Sequence, residues 1–165
     1  MSAATPVYIA LGANLGEPQA QLRNAIAAIA ALDGFSLVAQ SSLYRTEPLG
    51  PPGQPDYLNA VLCGRWAGTP LALLDALQAL ETAAGRRRGA ERWSARVLDL
   101  DILLFGERRI SDARLTVPHY AMHERDFVLY PLAEIAPDLE IPGRGSVREL
   151  LAALPDNRSI PEKIA

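Results

Sequence analysis

The chain has 165 residues, of which 49% are hydrophobic and 21% are charged, and its formal net charge at pH 7 is −3. This composition excludes a disordered tail or a coiled coil, and the net negative charge argues against a protein whose main partner is a nucleic-acid backbone. The length predicts a single domain over residues 1–165. The sequence has no long apolar stretch, no secretory signal pattern and one cysteine, Cys63, which favours a cytoplasmic protein without a membrane segment.

The first half of the chain predicts a strand, a helix and an extended segment. Residues 7–11 are an apolar run that predicts a buried strand. Pro18 suits the first turn of a helix, which Gly34 can terminate. Residues 35–45 alternate in polarity and predict extended structure. Residues 47–56 contain four prolines and two glycines, so they predict an exposed loop.

The second half repeats this order and then continues. Residues 57–66 predict a strand, and Thr69 followed by proline predicts the start of a helix that ends at Gly85. Residues 97–105 are apolar on both faces beyond two aspartates, which predicts a central strand. The order β-α-β-β-α-β predicts a ferredoxin-like α+β sandwich, an antiparallel sheet with two helices packed on one face. The C-terminal extension adds proline-rich connections and one short helix near residues 147–153.

Two carboxylates on the strongest predicted strand are the sharpest chemical signal. Asp99 and Asp101 are two residues apart, so they share one face of the strand with roughly 6.6 Å between their α-carbons. Carboxylates at this spacing can bind one hard cation or bridge two, and Mg²⁺ completes its octahedron with water and substrate phosphates. The alternative is a solvated strand end with no metal.

Arginines precede this strand and surround one tryptophan. Residues 86–96 contain five arginines around Trp93, and the only lysine of the chain is Lys163. Guanidinium groups beside a carboxylate pair suit a polyphosphate ligand, since the metal takes some oxygens and the arginines take others. A solvated charge run and a nucleic-acid patch with Trp93 as a stacking platform are the alternatives.

Other side chains carry weaker signals. Tyr57 and Asn59 share one face of their strand, where an aromatic plane and an amide would suit a flat heterocycle or would simply pack in the core. His119 and His123 have the spacing of a metal pair on a helix, but no third nitrogen or sulfur ligand is evident. We therefore interpret His119 as a hydrogen-bonding residue, for example towards a phosphate.

Four segments of the sequence, in order, resemble the 6-hydroxymethyl-7,8-dihydropterin pyrophosphokinase family. Its fold is a ferredoxin-like α+β sandwich, as the element order predicts independently. The resemblance implies a Mg-dependent enzyme of folate biosynthesis that transfers pyrophosphate from ATP to the hydroxymethyl group of the reduced pterin and releases AMP. The segments are YIALGANLG (8–16), SSLYRTEPLGPPGQPDYLNAV (41–61), RRRGAERWSARVLDLDILLFG (86–106) and LTVPHYAMHERDFVLYPLAEIAP (115–137).

The resemblance also implies roles for particular residues. Asp99 and Asp101 match the aspartates that hold two Mg²⁺ ions, and Arg86 and Arg96 match arginines that contact the phosphates and assist transfer. The pterin site is implied at Tyr57 and Phe127, which would sandwich the ring, and at Asn59, Thr46, Pro48, Leu49 and Trp93. The ATP site is implied at Gln78, Glu81, Arg88, Trp93, Arg96, Ile102, Arg114, Thr116, His119, Tyr120 and Arg125.

The chain departs from the family pattern in the arginine loop, where glycine and proline are usual and Ser94 and Ala95 stand instead. Residues 47–56 and 86–96 are the natural lids of the implied site. No residue resembles a strong general base, so water is expected to remove the proton of the hydroxymethyl group, with Asp99 as a weaker candidate. Two other functions stay open: a non-catalytic ferredoxin-like module that binds a small molecule or RNA, and a metal-dependent nucleotidyltransferase. A monomer is the default expectation.

Overall fold

The computed structural model describes residues 4–14, 17–46, 56–84, 98–155 and 160–164. These residues form both strands and helices. In chain order the elements are β1 (Thr5–Ala13), α1 (Pro18–Ala30), β2 (Phe35–Gln40), β3 (Tyr44–Thr46), β4 (Tyr57–Trp66), α2 (Pro70–Ala83), β5 (Asp99–Phe105), β6 (Ile110–Ser111), β7 (Thr116–Val117), the 3₁₀-helix η1 (Met122–Glu124), α3 (Asp126–Ile135), β8 (Glu140–Ile141), β9 (Gly145–Ser146), α4 (Val147–Ala152) and β10 (Glu162–Lys163).

Helices α1 and α2 form where the local sequence predicts them. Pro18 occupies the first turn of α1, where its missing N–H removes no helical hydrogen bond. The hydroxyl of Thr69 caps α2 by accepting a hydrogen bond from the backbone N–H of Ala72 at 3.1 Å. Leu22 on α1 and Leu73 on α2 are completely buried, so both helices turn their predicted apolar stripes towards the sheet.

The main sheet is antiparallel and confirms the predicted ferredoxin-like architecture. Its strand order is β10-β3-β4-β1-β5, and β2 also pairs with β4. The predicted extended segment 35–45 is therefore two strands, β2 and β3, which pair with successive parts of β4. Strand β1 lies between β4 and β5 and pairs with both over most of its length. None of the helices that the structure describes combines the length and the apolar character that a bilayer-spanning segment requires.

Apolar side chains cover both faces of this sheet. One core joins alternate residues of β1, β4 and β5 to α1 and α2. A second core joins the other face to α3 and α4, with Val61, Leu104, Leu129 and Val147 among its buried members. The sequence predicted helices on one face only, because the second helical layer lies in the C-terminal extension.

Helix α3 is an element that the sequence analysis missed. Pro131 lies inside it, and a proline normally marks the end of a helix because it has no N–H to donate. Val128, Leu129 and Leu132 are no more than 3% exposed, so tertiary packing outweighs the local cost of the proline.

The prediction that residues 97–105 form a central strand is wrong. Within the described residues, β5 pairs with β1 alone and lies at the edge of the sheet. Its side chains are apolar in both directions because helices cover both faces of the sheet, not because strands flank both of its edges. A register shift opposite Tyr8 and Ile9 also moves Leu104 from the α1–α2 core to the α3 side, which strict alternation does not predict.

Candidate active site

One row of residues crosses the sheet at the end where β5 begins. Asp99 is directly opposite Gly12, and Gly12 is directly opposite Asn59 on the far side of β1. Directly opposed residues of antiparallel strands point to the same face, and Asp101, opposite Ala10, points there as well. The fold therefore brings the predicted carboxylate pair and the predicted amide together on the face that carries α3.

Gly12 leaves the space that this row needs. A Cβ atom at position 12 would lie 2.9 Å from Oδ1 of Asn59, closer than a carbon can approach. The Nδ2 group of Asn59 donates a hydrogen bond to Oγ1 of Thr46 at 3.1 Å, and Thr46 is opposite Tyr57 on β4. Asn59 is 7% exposed, so its amide is held in one orientation beside Tyr57.

The carboxylates have the chemistry of a site for a hard cation. Asp99 is half-buried and Asp101 is exposed on the same face of β5. Mg²⁺ binds through one or two carboxylates and completes its shell with water and substrate phosphates. No group of three or more histidine, cysteine, aspartate or glutamate residues suited to a metal occurs in the described part of the chain. The pair thus fits Mg²⁺ shared with a phosphate ligand better than a metal held by protein alone.

A buried carboxylate from α2 contacts the backbone between these aspartates. Oε2 of Glu81 accepts a hydrogen bond from the backbone N–H of Leu100 at 2.8 Å. Glu81 is only 5% exposed. Because Leu100 lies between Asp99 and Asp101, this contact fixes the piece of edge strand that presents both carboxylates.

Arg114 and Gln78 meet on the surface beside α2. Nη2 of Arg114 donates to Oε1 of Gln78 at 3.2 Å and to Oδ1 of Asp75 at 2.5 Å. Thr116 is exposed on β7 nearby in sequence. The side chain of Ile102 is 3% exposed in the α1–α2 core, so only its backbone remains for contact with a ligand.

His119 is attached to the far end of β5. Its backbone N–H donates to the carbonyl of Leu103 at 3.0 Å, and its Nδ1 accepts from the backbone N–H of Ala121 at 3.3 Å. Burial, helped by the charges of Arg125 and Arg144, lowers the pKa of His119 from 6.5 to about 4. At neutral pH the ring is therefore uncharged, and its other nitrogen, Nε2, carries the proton.

Arg125 lies between two aromatic rings. Its guanidinium carbon is 5.7 Å from the ring centre of Tyr120 and 5.5 Å from that of Phe127. Tyr120 is 66% exposed, and its ring stacks on that of His119 with 4.8 Å between centroids. The four side chains form one continuous surface above the sheet, in which Arg125 joins His119 and Tyr120 to Phe127.

His119 and His123 do not form a helical pair, since η1 begins only at Met122. His123 instead contacts Nη1 of Arg144 through Nδ1 and lies 3.6 Å from Glu124 through Nε2. Arg144 also donates to the backbone carbonyl of Tyr120 at 3.3 Å. Arg144 could not be predicted at this surface from the sequence, because it follows Tyr120 and His123 by more than twenty residues and only the fold brings it there.

Comparison with known proteins decides the family. The model of a family described as 7,8-dihydro-6-hydroxymethylpterin-pyrophosphokinase (HPPK) matches residues 8–137 of this chain. The chain belongs to the HPPK family. It is similar to two proteins named 2-amino-4-hydroxy-6-hydroxymethyldihydropteridine pyrophosphokinase. The one from Haemophilus influenzae is 50% identical over 153 residues, which are 93% of this chain and 95% of that protein. The one from Pseudomonas aeruginosa is 53% identical over 149 residues, 90% and 91% of the two chains.

Solved structures of HPPK-containing chains have the same fold. A crystal structure described as HPPK-DHPS in complex with substrates matches with a TM-score of 0.71 at 12% sequence identity. The match covers 92% of this chain and 43% of that one, so this chain spans less than half of its length. Membership of the HPPK family confirms the predicted family, the ferredoxin-like fold class and the prediction of an enzyme with pyrophosphokinase activity in folate biosynthesis.

Several residues implied by the HPPK resemblance lie outside the described residues. They belong to the segments 47–55 and 85–97, which include all of the predicted lid 86–96 and all but the last residue of the predicted lid 47–56. Their placement in the site stays a prediction. The residues concerned are Pro48, Leu49, Arg86, Arg88, Trp93 and Arg96.

Proposed function

We propose that this HPPK-family chain transfers pyrophosphate from ATP to the hydroxymethyl group of 6-hydroxymethyl-7,8-dihydropterin and releases AMP. Family membership supports the reaction. The observation that carries the assignment of the site is the row in which Asp99, Gly12 and Asn59 share one sheet face with Asp101. In that row a carboxylate pair suited to a cation lies beside an amide suited to a heterocycle, which supports a transfer between a nucleotide and a pterin.

Asp99 and Asp101 would hold the metal. Two carboxylates on one strand face suit two Mg²⁺ ions that they share with the triphosphate. When bound, these ions supply charge neutralisation along the phosphates. Glu81, through Leu100, would keep both carboxylates in register.

The pterin would bind over Asn59. Tyr57 and Phe127 supply aromatic planes from β4 and α3, and the amide of Asn59 both donates and accepts hydrogen bonds at the ring edge. Thr46 orients that amide and continues into the segment with Pro48 and Leu49, whose backbone groups we expect to complete recognition.

The nucleotide would lie along the surface that runs from α2 to His119. The Nε2–H group of His119 is a neutral donor suited to a phosphate oxygen, and Arg125 supplies positive charge next to it. Tyr120 offers an exposed ring for stacking. The further residues assigned to ATP are Gln78, Arg114, Thr116, the backbone of Ile102 and, from the arginine loop, Arg86, Arg88, Trp93 and Arg96.

The reaction is a direct displacement. The hydroxymethyl oxygen forms a bond to the β-phosphorus of ATP while the bond from that phosphorus to the oxygen bridging to the α-phosphate breaks. AMP leaves with the electron pair, and the hydroxyl proton passes to water, since no described residue at the site resembles a strong base. Such a transfer depends on positioning and charge neutralisation more than on covalent chemistry.

A product assay tests this proposal. We would incubate the chain with MgATP and 6-hydroxymethyl-7,8-dihydropterin and separate the nucleotides. We expect pterin-dependent AMP without ADP, and a loss of at least about 10³-fold in Asp101→Ala. The matched control is Asp138→Ala, since Asp138 is an exposed carboxylate paired with Arg148 away from the site. ADP as product, or full activity in Asp101→Ala, would contradict the mechanism or the metal assignment respectively.

Three further features remain proposals: one domain over residues 1–165, a monomer, and a cytoplasmic location. Light scattering of the purified chain would test the second directly. Binding of single-stranded RNA in place of turnover would favour the alternative of a non-catalytic module.

A further inference from the structure

The carboxylate of Glu134 on α3 accepts several hydrogen bonds near β3 and β10, at the edge of the sheet opposite β5. Oε1 of Glu134 accepts hydrogen bonds from the hydroxyl of Tyr44 at 2.6 Å and from the backbone N–H of Ser42 at 2.9 Å. Oε2 accepts from the hydroxyl of Ser42 at 2.9 Å and lies 3.8 Å from Nζ of Lys163. We call these residues, Ser42, Tyr44, Glu134 and Lys163, the Glu134 clasp.

The carboxylate of the clasp is ionised at neutral pH. Burial alone would raise the pKa of Glu134, but the hydrogen bonds from Tyr44 and Ser42 and the charge of Lys163 outweigh it, so the pKa is lowered. Hydrogen bonds to a charged acceptor are stronger than those between neutral groups. The clasp therefore connects α3 firmly to β3 and to Ser42, which precedes that strand.

On the strand side, the clasp holds the segment that leads into the proposed pterin site. Tyr44 is 7% exposed and directly opposite Asn59 on β4. Two residues later, Thr46 is opposite Tyr57 and accepts the hydrogen bond from Asn59. Because β3 has only three residues, a shift at Tyr44 moves Thr46 with it.

On the helix side, the clasp holds the element that carries Phe127. Glu134 follows Phe127 by seven residues on α3, which is two helical turns, so the two side chains project from the same face. Helix α3 as a whole packs on β4 and β3. One end of this helical face thus carries the ring proposed to cover the pterin, and the other end is tied to β3.

We propose that the Glu134 clasp is a positioning device that sets the spacing between the two aromatic walls of the pterin site, Phe127 on α3 and Tyr57 on the sheet, and with it the position of Thr46, which is opposite Tyr57. The inference rests on the proposed function and deepens it. A flat ligand held between two walls binds most tightly when their separation is preset, because binding then costs no rearrangement. The Glu134 clasp lies away from Asp99 and Asp101, so it acts on the pterin and not on the nucleotide.

Equilibrium binding tests the inference. We would titrate 6-hydroxymethyl-7,8-dihydropterin into the chain with Mg²⁺ and a non-hydrolysable ATP analogue, and titrate the analogue separately. Glu134→Gln loses part of the acceptor capacity, and Tyr44→Phe loses a single hydroxyl. We expect the pterin Kd to rise about three- to tenfold in Glu134→Gln and less in Tyr44→Phe, with the analogue Kd unchanged within about twofold.

Asp138→Asn is the control, since it removes a similar charge four residues after Glu134 without touching the clasp. A pterin Kd that is unchanged in both clasp variants, or an equal loss for pterin and nucleotide, overturns the inference. If Glu134→Gln does not fold, Tyr44→Phe decides alone. If the wild-type chain releases AMP and the clasp variants bind pterin normally, the inference fails and the proposed function stands. If the wild-type chain binds no pterin, the inference and the proposed function both fail.

Discussion

The ring of His119 is held in its uncharged form with the proton on Nε2, which is the form that can donate a hydrogen bond to a phosphate without carrying charge. Its Nδ1 accepts a hydrogen bond from the N–H of Ala121, and burial, helped by the charges of Arg125 and Arg144, lowers its pKa and so disfavours a second proton. The spacing of the two histidines suggested a metal pair as one possibility, but the surroundings of His119 are cationic, which is unfavourable for a metal ion. Sequence alone could not show this, because the charge of Arg144 comes near His119 only through the tertiary fold.

The low pKa of His119 predicts a pH dependence of stability. A histidine at a pKa of about 4 in the folded state and 6.5 when unfolded binds fewer protons folded, so its contribution is present above pH 6.5 and is lost as pH falls towards 4. After allowance for solvent screening, we expect about 1–2 kcal/mol.

The measurement is urea unfolding of wild type and His119→Asn at pH 7.5 and pH 4.5. Wild type should lose about 1–2 kcal/mol more than the variant over this interval, because the carboxylates titrate alike in both. An equal loss in the two proteins would show that the ring takes up its proton freely.

Among secondary-structure elements, β5 depends most on its neighbours. It is an edge strand within the described residues, yet it presents both proposed metal ligands. Strand β1 holds one side of it, and Glu81 on α2 satisfies the backbone N–H of Leu100. Two like charges close together repel each other, so the hydrogen bond to Glu81 stabilises the edge strand against this repulsion.

Replacing Glu81 should therefore weaken both the fold and the metal site. Glu81→Ala leaves a buried N–H of Leu100 without its acceptor, which costs about 2–3 kcal/mol. Glu81→Gln retains an acceptor oxygen and should cost about half as much. We would measure the free energy of unfolding and the Mg²⁺ dependence of ATP binding.

Thr82→Ala, at the exposed next position of α2, is the control and should change stability by less than about 0.5 kcal/mol. Equal effects of Glu81→Ala and Glu81→Gln would mean that the hydrogen bond to Leu100 does not carry the contribution of this side chain. Normal metal dependence in an unstable Glu81→Ala would limit its role to the fold.

At the scale of the molecule, two apolar cores share the three strands β4, β1 and β5. The α1–α2 core and the α3–α4 core lie on opposite faces of these strands, so neither can form completely without the sheet. The site lies where the α3 side of the sheet meets its edge. This arrangement predicts that both layers unfold together as one domain.

Truncations in either core test this cooperativity. Leu73→Ala in the first core and Leu129→Ala in the second each remove a completely buried side chain and should cost about 2–4 kcal/mol. Circular dichroism and tryptophan fluorescence should report a single coincident unfolding transition in both variants. A separate early transition in Leu129→Ala would show that the α3–α4 layer is an independent unit.

The features that could be predicted from the sequence are those that depend on neighbours along the chain. Alternation predicted that Asp99 and Asp101 share one face of β5 and that Tyr57 and Asn59 share one face of β4. Caps and apolar stripes predicted α1 and α2. Motifs in four segments between residues 8 and 137 indicated the family. These features are readable because pleat, helical period and capping act over a few residues.

How these elements meet depends on contacts between distant parts of the chain and became visible in the fold. Packing against the sheet made residues Asp126–Ile135 helical despite a proline, and it added a second layer that covers the site face. Strand pairing put Gly12 between Asp99 and Asn59, and long-range hydrogen bonds brought Glu81 under β5 and Glu134 onto β3. Each contact joins residues far apart in the chain, where burial and pairing between elements outweigh any local preference.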